Sequence, residues 1–391
     1  MDKINNNYVN NKKFTKNLLK FLIFNIFLVF FLIFYVYFDN FFNFLYKPNF
    51  ADIYNINNAE LFVNFIDVGQ ADCCFVVFAN KKTMLVDFGL DFNNESHSKN
   101  STKNVLEKYF SDKEKTINYL IATHPDYDHI GNFKYIFEEY KVENFFRPNI
   151  YTKAEAEELG LSEYSANICE KQFYAELIDC VKNSGAYDNV VDVVSRSNVA
   201  FKEADCSVDF LTPLSIRYDD LNDYSLVTKL TYKGKSFLLT GDITENVEEN
   251  LTMLYSDSIK CDVLKVAHHG SGHSSSENFI KSICASFAVI SCGDNNDYFH
   301  PAIKTLKTLN LYLPEDCIIK TSEYGNILFG VNSDGELCLQ AQKIKFFEVH
   351  KVSGDCVFVV LECIAIFMFI KRMLYILPVK YRPKPSQNGG H

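Results

Sequence analysis

The sequence predicts an α/β (α+β) fold built on mixed β-sheets and preceded by one N-terminal membrane-spanning helix. Three observations lead there. Residues 61–68, 73–78 and 83–87 read as strands in series, separated by the turn Gly69-Gln70-Ala71-Asp72 and a hairpin tip at Lys81-Lys82. A short buried strand at 119–123 runs into His124-Pro125-Asp126-Tyr127-Asp128-His129, and a helix follows over 132–140 with Phe133, Ile136 and Phe137 on one face. Residues 21–38 are apolar except for Asn25, and about 20 such residues cross a bilayer.

The chain has 391 residues, 48% of them hydrophobic, which allows one large domain or two moderate ones with a sizeable core. Its net charge of -10 gives no global field toward nucleic acid, so any such binding needs a local basic patch. The 12 cysteines include no Cys-x-x-Cys pair, which argues against a zinc knuckle or a thioredoxin-type site. Cys73, Cys74, Cys206, Cys284 and Cys292 sit in or beside apolar runs and read as small core residues.

Residues 1–20 form a basic tail with Lys12, Lys13, Lys16 and Lys20. That excess before the 21–38 span puts the tail in the cytoplasm and the remainder outside, as a single-pass membrane protein. No small-residue cleavage site follows the span, so it stays attached. Residues 39–59 read as a linker and 60–340 as the folded domain. After the strands already described come a helix at 105–110 and the strand before His124. Residues 150–190 are charged and helical at 154–159 and 168–181, an insert that covers the site. Strands follow at 208–211, at 226–232 paired with 235–240 about Lys233-Gly234, and at 263–267, 287–291, 318–321 and 327–331. Helices fall at 247–254 and from His300-Pro301 to Leu309. Residues 341–391 are a tail with an apolar segment at 356–370 that is short for a span and holds Glu362.

Four metal-capable side chains, His124, Asp126, Asp128 and His129, lie within six residues. Imidazole and carboxylate suit Zn²⁺, Mn²⁺ and similar ions. Their place, at the carboxyl end of a strand on the turn into a helix, is where α/β proteins build sites.

Five segments occur in a telling order: Phe65-Ile66-Asp67-Val68-Gly69-Gln70-Ala71-Asp72, His124 to His129, Asn222-Asp223-Tyr224-Ser225-Leu226-Val227, Leu239-Thr240-Gly241-Asp242 and His268-His269-Gly270-Ser271. Over roughly residues 60–340 they resemble the metallo-β-lactamase fold, and specifically the soluble domain of ComEC-type DNA-uptake (competence) proteins. The resemblance implies an αββα sandwich with a metal site at one sheet edge. It implies His124 and Asp126 at a first metal position, Asp128 and His129 at a second, Asp242 bridging, and His268 as the late ligand with His269 competing. Asp126 replaces a family His, a change shared with the ComEC branch. The family's middle His is missing, with Asn222, Asp223 and Ser225 in its region, so one firm Zn²⁺ or Mn²⁺ site and a weaker second are implied.

The residue chemistry agrees. A metal lowers the pKa of water toward ~7, and two ions ~3.5–4 Å apart suit a phosphodiester. Asp126 or Asp128 would orient the water as base, and His269 or His300 would protonate the leaving oxygen. Ser271 and the Gly270 and Gly272 amides are further donors; His97 and His273 read as loop residues, Asp67 and Asp72 as turn caps. Lys229, Lys265, Lys281 and Arg147 are the nearest candidate phosphate contacts. The expected function is a membrane-anchored, metal-dependent hydrolase of phosphodiesters, a ComEC-like nuclease acting on DNA. The rivals are hydrolysis of a small phosphodiester, thioester or other ester, and a non-catalytic metal-binding scaffold. The bilayer is the expected partner of residues 21–38. The DNA-transport channel of ComEC-type proteins needs many spans, and this sequence has one or two.

Overall fold

The computed structural model describes residues 58–90, 102–162, 166–194 and 199–341, together with Lys20, Phe21, Phe24 and Asn25. The rest of the span expected at 21–38, most of the linker, His97 and the apolar segment at 356–370 lie outside the described residues. Among the described residues no helix is long and apolar enough to cross a membrane. The chain divides into two units, Met1–Tyr54 and Asn55–His391, and every strand among the described residues falls in the second.

Two mixed sheets form its centre. The first has eight strands: β1 (Ala59–Phe65), β2 (Cys73–Val77), β3 (Thr83–Phe88), β4 (Thr116–Ile121), β5 (Lys141–Pro148), β8 (Tyr187–Val191), β16 (Ile327–Asn332) and β17 (Leu337–Gln340), in the order β17-β16-β1-β2-β3-β4-β5-β8. The second has seven: β9 (Val199–Glu203), β10 (Cys206–Phe210), β11 (Thr228–Tyr232), β12 (Lys235–Leu239), β13 (Val263–Lys265), β14 (Phe287–Ile290) and β15 (Ile318–Lys320), in the order β15-β14-β13-β12-β11-β10-β9. A short parallel pair, β6 (Ile150–Tyr151) and β7 (Asn167–Ile168), stands apart.

Alternation along the strands builds the layers. In β2 the side chains of Cys74 and Val76 join the core between the sheets, while Cys73, Phe75 and Val77 join the core on the outer face. In β12 Phe237 and Leu239 point inward and Leu238 outward. Period-2 patterning of this kind sorts residues between two faces, and each fully buried aliphatic or aromatic side chain contributes roughly 1.5–3 kcal/mol. Helices cover both outer faces. On the first sheet lie α1 (Thr102–Tyr109), α3 (Phe133–Glu139) and α5 (Gln172–Ser184), through Leu106, Ile136, Leu177 and Val181. On the second lie α6 (Glu245–Tyr255), α7 (Glu277–Ile283) and α8 (Ile303–Tyr312), through Val247, Leu251, Ile280 and Leu309. The αββα sandwich is therefore present.

Each sheet has an antiparallel half and a parallel half, and this positions the site. The parallel half begins at β3 and β4 in the first sheet and at β12 and β13 in the second. Their carboxyl ends lead to Asp87, Thr123-His124, Gly241-Asp242 and His268-His269. The turn α2 (Tyr127–Ile130) follows β4, as the 124–129 stretch requires. The insert departs from expectation in one respect. Its first helix, α4 (Lys153–Glu158), is closed by a capping box between Thr152 and Glu155, but Asn167–Ile168 is strand and α5 begins only at Gln172.

Candidate metal centre

Four side chains from three strand ends converge: Asp128, His129, Asp242 and His269 each place a donor atom within 4.8 Å of the others. His129 Nε2 lies 3.3 Å from Asp242 Oδ2, and His269 Nε2 lies 3.5 Å from that oxygen and 3.1 Å from Asp128 Oδ2. His129, Asp242 and His269 are buried, and Asp128 opens partly to solvent.

The site is tied from behind. His129 Nδ1 is 2.7 Å from Asp87 Oδ2. A carboxylate only accepts, so Nδ1 carries a proton and Nε2 is the nitrogen that faces the centre. Thr123 holds Asp87 in turn, its N–H and Oγ1 each donating at 2.8 Å. His269 Nδ1 donates to the Ser291 carbonyl at 2.9 Å, which directs its Nε2 inward in the same way. His268 and His269 both have positive φ, 51° and 52°, a conformation that side chains other than glycine occupy at a cost and that recurs at functional sites.

Asp72 and Lys265 close the floor. The buried Lys265 ammonium pairs with Asp72, lies 3.7 Å from Asp242 Oδ1 and donates to the Gly241 carbonyl at 3.1 Å. Burial opposes its charge, but Asp72 and Asp242 outweigh that and raise its pKa. Burial likewise opposes the His129 imidazolium, and the carboxylates of Asp242, Asp87 and Asp128 carry its pKa well above the ordinary value. His269 is raised against burial by Asp242, Asp72 and Asp128. Asp242 would be pushed up by burial, yet His129, His269 and Lys265 hold it well below the usual carboxylate range. Asp128 is lowered too, His129 and His269 overcoming its burial. His124 moves the other way: burial, then the charge of His129, lowers its pKa.

The donor set fits a divalent ion. Nε2 of His124 and of His129, together with Oδ1 of Asp72 and of Asp242, are buried and have no hydrogen-bond partner. A buried polar atom left unpaired costs about 1–3 kcal/mol, and a cation between His129 Nε2 and the Asp242 carboxylate satisfies imidazole nitrogen and carboxylate oxygen together. Bringing a cation to His129 and His269 displaces their protons.

The remaining expected residues are arranged around this centre. Asp126 stands partly exposed, its Oδ2 3.9 Å from His124 Nε2, and forms an ion pair with Lys171 at the start of α5. The insert thus reaches the site through Lys171. His268, expected as the late ligand, lies with Nε2 3.7 Å from Asp242 Oδ2, but His269 is the one of the pair inside the four-residue cluster. His300 is half-buried, and burial followed by the charges of His268 and His269 lowers its pKa to about 4, which leaves it neutral at pH 7. Ser225 stands in the region of the missing His. Its Oγ is 3.3 Å from His124 Nδ1, donates to the Asn222 carbonyl and accepts from Asp242 N at 3.0 Å, so it shapes the site from the rear. Asp223 accepts from Thr244 N and Oγ1 and is spent on that turn.

Ser271 is buried, and its backbone N–H donates to the His268 carbonyl at 2.7 Å. Of the expected phosphate contacts, Lys265 and Arg147 are buried, Lys229 donates to two backbone carbonyls, and Lys281 is exposed. Asp87 and Lys171 are functional residues that sequence reasoning missed; the one signal for Asp87 is an acidic residue next to the end of a fully buried strand.

A matched pair of sheets with a His/Asp centre at their parallel ends defines a class, and the sequence comparison agrees. Residues 66–283 match the family described as the metallo-beta-lactamase superfamily. The chain belongs to that superfamily, whose fold binds divalent metals, and it is a metal-dependent hydrolase by that membership. It is similar to ComE operon protein 3 of Bacillus subtilis, 29% identical over 286 residues, covering 71% of this chain and 34% of that one. It is similar also to competence protein ComA of Neisseria gonorrhoeae, 24% identical over 236 residues, covering 60% of this chain and 28% of that one. The chain thus spans about a third of the length of the curated relatives it matches. Among solved structures, the metallo-beta-lactamase fold protein YhfI of Bacillus subtilis aligns with a TM-score of 0.38 and 10% identity, over 66% of this chain and 95% of that one.

Proposed function

We propose that this chain is a membrane-anchored, metal-dependent phosphodiesterase whose substrate is DNA. The observation that carries the hydrolytic reading is the convergence of Asp128, His129, Asp242 and His269, with unpaired Nε2 atoms on His124 and His129 beside them. DNA is favoured by the likeness to competence proteins and by the ComEC-type motif order. The anchor is residues 21–38, with the domain on the outer side of the membrane.

His129, Asp242, His269 and Asp128 would hold one Zn²⁺ or Mn²⁺, and His124 with Asp126 the approach to a second. Such an ion supplies hydroxide at neutral pH and withdraws charge from a phosphoryl oxygen. Asp87 fixes the His129 tautomer and the Ser291 carbonyl fixes that of His269. Asp126, held by Lys171 at the partly open side of the site, orients the attacking water and takes its proton. Lys171 also brings positive charge to where a phosphate would enter. His300, neutral at pH 7, offers a ring N–H or a lone pair beside His268 rather than an imidazolium proton.

The test is cleavage of labelled single- and double-stranded DNA by the full chain with Mn²⁺, Zn²⁺ or EDTA, beside Asp128→Asn. The expected result is cleavage that needs metal and is lost in the variant. Cleavage that survives EDTA and the substitution sinks the proposal. Turnover of small phosphodiesters without DNA cleavage restricts it to those esters.

A further inference from the structure

We propose that Tyr298 and Phe299 form a stacking platform for an unpaired nucleobase beside the metal centre, an inference that rests on the DNA reading above. Both rings face solvent, with Tyr298 70% and Phe299 87% exposed, although most aromatic side chains near the centre of the fold are buried. Contiguous exposed apolar surface marks interaction sites, and these two rings are neighbours in the chain.

The loop that carries them is held in place. Asn296 Nδ2 donates to the Gly293 carbonyl at 2.9 Å and to the His300 carbonyl at 2.6 Å, and its Oδ1 accepts from His300 N at 2.9 Å. Phe299 N donates to the Asn296 carbonyl at 3.1 Å. Gln70, in the turn before β2, accepts from Gly293 N at 3.1 Å and fastens the loop to the first sheet. Phe299 itself has φ 55°, a backbone region that bulky side chains avoid. Strain of that kind persists only where the surroundings impose it, and it gathers at binding sites.

Tyr298 links the platform to the centre. Tyr298 stacks on His300 with centroids 5.8 Å apart and planes 29° apart, and His300 meets the edge of His268 at 5.7 Å. His268 Nε2 is 3.7 Å from Asp242 Oδ2. A strand whose phosphate lies at the centre therefore has a ring surface beside it on which a neighbouring base can stack. Every base has a π-face, so such a surface tolerates any sequence but requires an unpaired base. Asp294 and Asp297 share the loop. They repel a phosphate backbone and an anionic bilayer alike, so the contact this loop offers a strand is through its rings to a base and not through charge to phosphate.

The chain contains no tryptophan. Phe299→Trp therefore keeps a ring at the platform and installs a single fluorescent reporter. The full metal-loaded chain carrying it is titrated with oligothymidylate bearing hydrolysis-resistant phosphorothioate linkages, and with an abasic oligomer of the same charge. The expected result is saturable quenching by the first and none by the second. Tyr298→Ala/Phe299→Ala should weaken binding of the labelled oligothymidylate by about 5- to 150-fold. Turnover of bis(p-nitrophenyl) phosphate by the natural chain, run alongside, tests the hydrolytic reading separately. Turnover with no quenching, with equal quenching by the abasic oligomer, or with unchanged affinity in the double variant overturns the platform and leaves the hydrolase. So does platform-dependent binding to phosphatidylglycerol vesicles in place of oligomer binding. Absence of metal-dependent turnover on either DNA or the small ester overturns both.

Discussion

Asp87→Asn should weaken metal binding by about 10- to 100-fold, or roughly 1.4–2.7 kcal/mol, which is what loss of a partner behind a ligating histidine costs. The substitution changes charge and donor pattern but little else. Asp87 is buried with φ 52°, and asparagine is among the few residues that adopt such a backbone readily. The carboxylate accepts from three donors: His129 Nδ1 and Thr123 Oγ1 at Oδ2, and Thr123 N at Oδ1. An amide has one oxygen. If that oxygen faces Thr123 N, the NH₂ faces His129 Nδ1 and drives the imidazole to the tautomer protonated at Nε2, where the ion should bind. If the oxygen faces His129, the NH₂ meets the Thr123 N–H and a buried donor goes unpaired. Loss of the charge-assisted bonds should also cost about 1.5–3 kcal/mol of stability in the metal-free protein. Competition against a chromophoric chelator measures the affinity, and denaturant unfolding of the metal-free chain measures the stability. An affinity within twofold of the natural protein would show that Asp87 does not set the His129 tautomer.

Three further outcomes rest on buried groups. Burial raises the Glu248 pKa from 4.5 to about 7, although Ser275 N and Ser276 N donate to the carboxylate. The folded state therefore binds the proton more tightly than the unfolded chain, and stability falls as pH rises from about 4.5 to 7. At 1.36 kcal/mol per pH unit this amounts to about 3 kcal/mol, so Glu248→Gln should gain on the natural protein by about that much between pH 4.5 and 8 in denaturant unfolding. Arg147 is buried and joins Asp188, Glu155, Tyr174 and the Ile150 carbonyl, tying α4 and α5 to the first sheet. Arg147→Met leaves Glu155 buried without its partner and should cost about 3–5 kcal/mol, read as a lowered midpoint. Gly241 has φ 54°, and a Cβ there would lie 2.7 Å from Ser225 Cβ. Gly241→Ala should cost about 1–3 kcal/mol and reduce metal affinity by displacing Asp242, with the affinity measured by the same chelator competition.

How far the sequence discloses this protein depends on the range of the interaction. Alternation in β1, β2 and β12 is local, so those strands and their buried faces can be read residue by residue, whereas β5, β8, β9 and β17 are not marked in the sequence reading. The His124–His129 stretch is local too, and its place after a buried strand is enough to mark a site. Asp87 is not marked in this way. It lies next to the end of an apolar strand, where acidic residues often only cap a turn, and its role exists only because β3 pairs with β4, which brings it to His129, 42 residues away. Lys171 reaches Asp126 across 45 residues through the packing of the insert, and no local pattern signals it. His268 and His269 are chemically equal neighbours, and their relative reach is decided by backbone angles that only the turn after β13 imposes. Lys265 reads as a candidate surface cation because its partners, Asp72 and Asp242, arrive from other strands. The two-residue strand Asn167–Ile168 resembles the start of a helix because two residues carry no period. Of the five cysteines read as core residues, Cys73, Cys74, Cys206 and Cys292 are buried thiols with pKa values raised by that burial, but Cys284 is exposed, because it caps the end of α7 in a left-handed conformation that carries its side chain out of the core.

The claim on which the rest stands is that Asp128, His129, Asp242 and His269 together hold a divalent ion. Anomalous diffraction from crystals of the chain grown with Zn²⁺ or Mn²⁺ tests it most directly. The account predicts a strong peak bounded by those four side chains, with any second peak weaker and toward His124 and Asp126, and loss of the strong peak in Asp242→Ala. A peak elsewhere, or none at saturating metal, would contradict it.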